Sequence, residues 1–151
     1  MIVRAAGEGD VDATAAVAAA SYGAAFADIL GAKILTGYDQ AFFAARFAAS
    51  LARLRVAELD GAVDGFSLVT DGHLDMLFIT PAAQGHGVGQ ALLADVEARG
   101  AVSLESFRDN HRARRFYEHF GWRLAAEYAR EFAGATRHFV RYEKPSALHL
   151  Q

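Results

Sequence analysis

The spacing of hydrophobic positions along the chain changes near residue 54. Before that point, Phe43, Phe47 and Leu51 recur every four residues, which predicts a helix over residues 39–53. An alanine-rich run over about residues 10–26 has high helix propensity and predicts an earlier helix. After residue 54, short apolar runs end in turn residues, a pattern that is typical of β-strands.

Two Asp-Gly pairs, at residues 60–61 and 71–72, favour tight hairpin turns between consecutive strands. They divide the middle of the chain into a three-stranded antiparallel meander. The strands that the whole sequence predicts are residues 2–5, 55–59, 62–70, 73–79, 101–107, 123–132 and 136–144.

The second half of the chain adds helices between its strands. A glycine-rich loop at 84–89 leads into a helix that runs to Arg99, and another helix is predicted over 110–120. This order of elements predicts a mixed α/β (α+β) fold. We expect one domain over residues 1–145, followed by a short tail at 146–151.

Composition narrows the class of protein. The 151 residues are 53% hydrophobic and 22% charged, which is typical of a globular domain and not of a disordered chain. The formal net charge of −3 argues against a non-specific nucleic-acid partner, which needs a strongly basic surface. The chain has no cysteine, and this excludes a disulfide framework, a thiolate zinc site and a cysteine nucleophile.

The sequence predicts neither a membrane partner nor a metal site. The alanine-rich run lacks the basic start and leucine-rich centre of a signal peptide, and we expect it to be too weakly apolar to span a membrane. We therefore expect a cytoplasmic protein. The six histidines include no helical i, i+4 pair with a third ligand nearby, so we expect no bound metal.

The loop at residues 84–89, Gln-Gly-His-Gly-Val-Gly, is the sharpest chemical feature. Its three glycines allow backbone N–H groups to turn towards one point at the start of a helix, an arrangement suited to phosphate. The residues after Gly89 are Gln90 and Ala91, not the Lys-Ser or Lys-Thr of a nucleotide-hydrolysing loop. The glycine spacing also differs from a dinucleotide fingerprint. The alternative is a tight strand-to-helix turn without a ligand.

Two motifs together resemble the GNAT N-acetyltransferase superfamily. The first is the loop, Gln84-x-x-Gly87-x-Gly89, placed between a strand and a helix. The second, with tryptophan at its end where phenylalanine is common, reads Asn110-x-x-Ala113-x-x-Phe116-Tyr117-Glu118-x-Phe120-Gly121-Trp122. The order of predicted elements matches the family over essentially the whole chain.

The resemblance implies a mostly antiparallel, twisted sheet of about seven strands, splayed between strands 4 and 5 and flanked by about four helices. It implies acetyl-CoA as donor and a primary amine, on a small molecule or a peptide, as acceptor. A bulge in the strand at 73–79 would part it from the strand at 101–107 and open a slot for the pantetheine arm.

The family's functional residues map onto both motifs. The resemblance implies that backbone groups of Leu77, Phe78 and Ile79 pair with pantetheine, that loop amides hold the pyrophosphate, and that Tyr117 donates a proton to the departing sulfur. An N–H near Phe78 is a candidate donor to the oxyanion. The residues expected to bind the donor are Leu77, Phe78, Ile79, Gln84, Gly85, His86, Gly87, Val88, Gly89, Gln90, Asn110 and Tyr117.

Residue chemistry supports the role of Tyr117. Asn110 lies seven residues earlier, nearly two helical turns, so both side chains project from almost one side. A phenol has a pKa near 10 and a thiol near 8.5, so full proton transfer would cost about 2 kcal/mol. Tyr117 is better described as donating a hydrogen bond that strengthens as the sulfur becomes anionic. The alternative is an aromatic that only packs beside Phe116.

An amine acceptor must lose a proton before it attacks, and Asp75 is the first candidate for the base. His73, Glu105 and His111 are the others, and the family fixes no single base. By strand alternation, His73, Asp75 and Leu77 should share one face. Asp75 and Glu105 could instead be structural hydrogen-bond partners.

Two groups of residues carry open alternatives. A basic cluster either attracts the donor's phosphates or is a solvated helix face; its members are Arg108, His111, Arg112, Arg114 and Arg115. An early aromatic set either lines the acceptor pocket or is core; its members are Tyr22, Phe26, Tyr38, Phe42 and Phe43. Without a cysteine, direct attack in a ternary complex is favoured. The alternatives are a non-catalytic acyl-CoA-binding module or a purely structural domain, and the last strand could pair in a homodimer.

Overall fold

The computed structural model describes residues 1–144, so Pro145 and the tail expected at 146–151 lie outside the described residues. The strands are β1 Ile2–Ala5, β2 Leu54–Leu59, β3 Ala62–Thr70, β4 His73–Ile79, β5 Ser103–Phe107, β6 Arg123–Phe132 and β7 Ala135–Glu143. The helices are α1 Val11–Leu30, α2 Ala32–Leu35, α3 Gln40–Ala49, α4 Val88–Ala98 and α5 His111–His119. Short 3₁₀ turns occupy Glu8–Asp10, Leu51–Arg53 and Pro81–Ala83.

All seven strands form one sheet in the order β1-β2-β3-β4-β5-β7-β6. Neighbouring strands are antiparallel except β4 and β5, which are parallel. The predicted mixed fold, with its mostly antiparallel sheet, is confirmed. The last strand, β7, lies between β5 and β6, so the expectation that it could pair in a homodimer is wrong; the edge strands are β1 and β6.

Two helix boundaries differ from the prediction. The helix expected over 39–53 ends at Ala49, because Ser50 leaves helical geometry and a 3₁₀ turn over Leu51–Arg53 leads into β2. The first helix continues to Leu30, where Gly31 ends it with a φ of +82°. The four-residue α2 follows and was not expected.

The helices cover the two faces of the sheet. On one face, α1 and α3 pack on β2, β3 and β4, with Ala15, Phe43, Phe47 and Phe66 fully buried. On the other face, α4 and α5 pack against β3, β4 and β5. A glycine permits the closest approach: a Cβ on Gly65 would lie 2.9 Å from Leu92 of α4.

The first helix is more apolar than its alanine content suggests. Together with the preceding turn, Glu8–Leu30 is long and apolar enough to cross a membrane by length and composition, contrary to our expectation. The reason is its extension to Ile29 and Leu30. In the fold, Ala15 and Ala18 are fully buried in the core and Leu30 is 7% exposed, so one side of this helix packs inside the protein.

A bulge in β4 determines where the sheet parts. Leu68 of β3 faces Met76, but the next residue, Val69, faces Leu74, so Asp75 is the extra residue of β4. β4 then pairs with β5 only at His73 and Leu74. The two strands therefore separate beyond Leu74, as a bulge at this place was expected to cause.

The bulge also changes which β4 side chains share a face. Leu74 packs with the α4 and α5 cluster, whereas Met76 packs with the α1 and α3 cluster. Simple alternation would have placed both on one face. The expectation that His73, Asp75 and Leu77 share a face is therefore wrong, because one extra residue reverses the alternation between His73 and Leu77.

Candidate functional site

Two cavities open on the gap between β4 and β5. A groove of about 640 Å³ runs from the glycine loop along β4 to α5, and we call it the donor groove. A second cavity of about 340 Å³ lies beyond the gap, and we call it the acceptor cavity. Both cavities are lined by the same five residues, which are Leu77, Phe78, Asn110, Ala113 and Tyr117. A molecule in one cavity can thus reach a molecule in the other.

The glycine loop forms the far end of the donor groove. Gly85 and Gly87 have φ of +86° and +79°, and no atom lies within 4 Å of a Cβ placed at either. The positive φ, not crowding, is what requires glycine there. Within residues 1–144, the N–H groups of residues 85–90 make no hydrogen bond to the protein, whereas Gln84 N–H donates to Pro81. Free amides and the α4 N-terminus form an anion cradle.

Gly89 brings the start of α4 close to the groove. A Cβ at this position would lie 3.0 Å from the Cδ1 of Ile79 and 3.3 Å from the Phe116 ring. The absence of a side chain lets α4 approach the ends of β4 and α5 together. The loop amides are thereby held beside the open edge of β4.

The edge of β4 presents backbone groups to the groove. Thr80 N–H donates to the backbone carbonyl of Asp64 in β3 at 2.8 Å. The N–H of Phe78, two residues earlier, therefore also points to β3. By the same alternation, Leu77 and Ile79 direct their backbone groups away from β3. The Ile79 carbonyl confirms this direction, because it accepts a bond from Ser21 of α1 at 3.2 Å. Of the N–H groups near Phe78, that of Leu77 is therefore directed away from β3 and that of Phe78 is not.

Tyr117 and Asn110 meet at the gap, as their spacing predicts. Tyr117 is 8% exposed, and burial raises the pKa of its phenol well above the ordinary value, so it stays protonated. Across residues 1–144, no protein group accepts a hydrogen bond from its hydroxyl. Asn110 caps α5, with its side-chain oxygen accepting from Ala113 N–H at 3.4 Å. Its amide donors remain available to a ligand.

Glu105 lies in the acceptor cavity but is already engaged. Arg130 donates to both of its oxygens, and the Tyr128 hydroxyl donates to one of them. Partial burial acts to raise the pKa of Glu105, but the bonds from Arg130 and Tyr128 outweigh burial and leave the pKa below its usual value. Burial and the Glu105 carboxylate raise the pKa of Tyr128 to about 12. Glu105 is thus a poor base and a good structural anion.

The other candidate bases differ in position. Asp75 is exposed at the bulge, lines the acceptor cavity and accepts from Thr70 Oγ1 at 2.5 Å. His73 also lines this cavity, and its Nδ1 lies 2.8 Å from Ser103 Oγ. His111 lines neither cavity. The structure therefore brings Asp75 and His73 to the acceptor side of the gap.

The remaining predicted residues divide into those that line a cavity and those that do not. All the expected donor-binding residues line the donor groove except His86, whose Nδ1 lies 3.1 Å from the Ala83 carbonyl. Of the basic cluster, Arg112 lines the groove. Arg114 is a structural residue that donates to the Tyr142 hydroxyl and to the backbone carbonyl of Arg108. Of the aromatic set, Tyr22 and Phe26 line the acceptor cavity, and the others do not.

Several residues of the site were not predicted from the sequence. Arg46 and Arg130 line the acceptor cavity, and Ser21, with the small residues Ala24 and Ala25, lines the donor groove. Arginine on an exposed helix or edge strand gives no signal by itself. The groove-lining residues of α1 lie within an alanine-rich run, in which they are not distinctive. No cluster of histidine, aspartate or glutamate able to hold a metal occurs among the described residues.

A parallel pair of strands that parts at a bulge, beside a glycine loop at a helix start, is the arrangement that the resemblance to the N-acetyltransferases implied. A profile described as "Acetyltransferase (GNAT) domain" matches residues 30–144. The chain belongs to this GNAT acetyltransferase family, and the resemblance of its two motifs is confirmed.

Solved structures share the fold over nearly the whole chain. A GCN5-related N-acetyltransferase from Rhodopseudomonas palustris is 28% identical with a TM-score of 0.75, covering 95% of this chain and 94% of that one. The apo form of YjaB from Escherichia coli is 22% identical with a TM-score of 0.79, covering 97% and 100%. PaiA N-acetyltransferase from Thermoplasma acidophilum, solved in complex with coenzyme A, is 17% identical with a TM-score of 0.71, covering 95% and 98%.

A curated relative matches over a shorter region. Blasticidin-S acetyltransferase from Streptomyces morookaense is 33% identical over 73 residues, which are 45% of this chain. The match spans about half the length of that relative, 54%. It supports the acetyltransferase class.

Proposed function

We propose that the protein transfers an acetyl group from acetyl-CoA to a primary amine by direct attack in a ternary complex. The observation that carries this proposal is the meeting of the two cavities at the gap beside Tyr117. The donor and the acceptor would enter from different sides and react where the cavities share residues. Since the chain has no cysteine, no thiol is available to carry the acetyl group.

The donor groove fits acetyl-CoA in its backbone chemistry. Unpaired N–H groups of residues 85–90 suit a diphosphate, and Arg112 adds a positive side chain on the same groove. The outward backbone groups of Leu77 and Ile79 suit the amides of a pantetheine arm, which would extend the sheet as an added strand. The relative solved with coenzyme A has the same fold.

The acceptor amine reaches the gap as an ammonium, which must lose a proton. With a pKa near 10.4, only about one alkyl amine in a few thousand is neutral at pH 7. We assign proton removal to Asp75, directly or through a water, because Arg130 and Tyr128 hold Glu105 and Ser103 Oγ lies 2.8 Å from His73 Nδ1, whereas Asp75 is exposed in the acceptor cavity. The nitrogen then bonds to the acetyl carbonyl carbon, and the carbon–sulfur bond breaks.

Tyr117 serves the departing sulfur. Its raised pKa makes full proton transfer to a thiolate more costly than the roughly 2 kcal/mol of an ordinary phenol, so it acts as a hydrogen-bond donor. As the amide forms, the nitrogen gives up its second proton to water, and the departing thiolate takes a proton from water to become the thiol. The Leu77 N–H, directed into the gap, would stabilise negative charge on the acetyl oxygen.

The acceptor is a small-molecule or peptide amine. The relative acting on blasticidin-S supports a small-molecule acceptor. The alternative is a non-catalytic module that binds acyl-CoA without transfer.

Acetyl-CoA turnover, measured as thiol release with a panel of amines, tests this assignment together with calorimetric acetyl-CoA binding. We expect Tyr117→Phe to lower kcat about 100-fold while leaving donor affinity within about twofold, because the hydroxyl acts on the leaving group. We expect Asp75→Asn to lower kcat about 100-fold at pH 7 and less at higher pH, where more amine is neutral.

Tyr38→Phe and Asp28→Asn are the matched controls, since neither residue lines the donor groove or the acceptor cavity. Donor binding with no turnover on any amine would establish the non-catalytic alternative. Unchanged kcat in Tyr117→Phe would remove this residue from the mechanism.

A further inference from the structure

The acceptor cavity is balanced in charge, and this property bears on which amine it takes. The inference rests on the proposed function. The charged side chains that line the acceptor cavity are two carboxylates, Asp75 and Glu105, and two guanidinium groups, Arg46 and Arg130. A cavity built for a polyamine would carry an excess of carboxylates, because several ammonium groups would otherwise lie near unopposed arginines.

Only one charge of each sign is available to a ligand. Glu105 and Arg130 satisfy each other, and the Arg130 guanidinium also lies 4.1 Å from the centre of the Phe139 ring. Asp75 accepts one bond from Thr70 and is otherwise open to the cavity. Arg46 makes no ion pair and no side-chain hydrogen bond with any other described residue, so it is the cavity's unpaired cation.

Arg46 shares the acceptor cavity with a second hydrogen-bond donor, Tyr22. The position of Arg46 on α3 is one turn after Phe43, whose ring centre is 4.9 Å from that of Tyr22. Burial raises the pKa of Tyr22, and the Arg46 charge acts in the opposite direction; both side chains line the acceptor cavity. A guanidinium and a phenol hydroxyl that line one cavity together form a natural site for a carboxylate.

Four phenylalanines form an aromatic part of the cavity wall. Phe26, Phe107, Phe132 and Phe139 line it, with the ring centres of Phe26 and Phe107 5.0 Å apart. A volume of about 340 Å³ is at the small end of the roughly 300–1,000 Å³ that ligand cavities occupy. The cavity therefore suits a compact molecule with an apolar group.

We propose that the acceptor is a zwitterion, an amine that also carries a carboxylate and a compact apolar group, and that Arg46 binds its carboxylate. The ammonium lies towards Asp75 and the gap, the apolar group lies among the phenylalanines, and the carboxylate pairs with Arg46 and Tyr22. Amino acids and their close analogues have this chemistry. Arg46 is then a residue that determines specificity and takes no part in the chemical step.

Matched amines provide the test. Thiol release from acetyl-CoA is measured with L-phenylalanine, with phenethylamine, which lacks only the carboxylate, and with the polycation spermidine. We expect kcat/KM for phenylalanine to exceed that for phenethylamine about 10- to 100-fold, the range of one charge-assisted hydrogen-bonded pair. Arg46→Met should reduce this ratio to about one, mainly through KM for phenylalanine, and Arg46→Lys should restore part of it.

Arg53→Met is the control, because Arg53 is exposed and lines neither cavity; its ratio should equal that of the unmodified protein. Equal rates with the two matched amines, or a ratio that survives Arg46→Met, would overturn the inference. Turnover of spermidine alone would overturn it and leave the N-acetyltransferase proposal intact. Donor binding without turnover of any amine would overturn both.

Discussion

Replacing Gly87 by alanine isolates the contribution of the loop backbone to donor binding. Gly87 is the N-cap of α4, with φ of +79° and ψ of +7°. An L-residue in this left-handed conformation costs about 1–2 kcal/mol. For a chain of 151 residues, roughly 2–4 °C of melting temperature per kcal/mol is expected. Gly87→Ala should therefore melt about 2–8 °C lower.

Gly134 offers a control with the same strain. It lies in the β6–β7 turn with φ of +79°, and a Cβ placed on it, like one on Gly87, would have no atom within 4 Å. Gly134→Ala should lose a similar amount of stability. At Gly87, however, the open space is the donor groove, so a methyl group there would occupy the position assigned to the diphosphate.

Calorimetric titration with acetyl-CoA separates these effects. We expect Gly87→Ala to raise Kd about 10- to 100-fold, equivalent to losing one amide bond to a charged phosphate, about 1.5–3 kcal/mol. Gly134→Ala should leave Kd within about twofold. Equal affinities in the two variants, at equal loss of stability, would refute the assignment of the loop as the anion site.

Two further predictions concern stability. The hydrogen bond from Arg4, with that from Gly7 N–H, lowers the pKa of Asp10 to about 2, so this carboxylate stabilises the fold above its unfolded pKa near 4 and the gain is lost as pH falls towards 2. The difference in urea midpoint between Asp10→Asn and the unmodified protein should thus be large at about pH 7 and small at about pH 2.5; a constant difference would contradict this. Trp122 is 2% exposed, and its indole N–H donates to the Glu97 carboxylate at 2.9 Å. Trp122→Phe should therefore lower the free energy of unfolding, measured by circular dichroism, by about 1–3 kcal/mol and leave acetyl-CoA affinity unchanged. An unchanged midpoint would show that the indole contact contributes nothing.

The sequence was informative where local chemistry decides structure. The Asp-Gly pairs at 60–61 and 71–72 turn with positive φ at both residues, as their type requires. The loop at 84–89 combines glycines with a helix start, and its amides after Gln84 are unpaired within the described chain. The spacing of Asn110 and Tyr117 places both side chains at the gap. Each of these features depends on residues close together in the chain.

The acceptor side of the site was decided by tertiary structure. The bulge residue Asp75 reverses which face of the sheet the following side chains of β4 occupy, and no local sequence pattern marks the position of a β-bulge. Glu105 changed from a candidate base to a paired anion because Arg130, 25 residues away, crosses from β6 to reach it.

The chain by itself therefore determined the family, the order of elements and the backbone cradle for the donor, since periodicity, turns and glycine conformations are local properties. Only the fold decided which charges face the acceptor and which of them remain unpaired. These depend on side chains from α1, α3, β4, β5 and β6 that meet across the sheet, and their partners are set by register and packing rather than by neighbours in sequence.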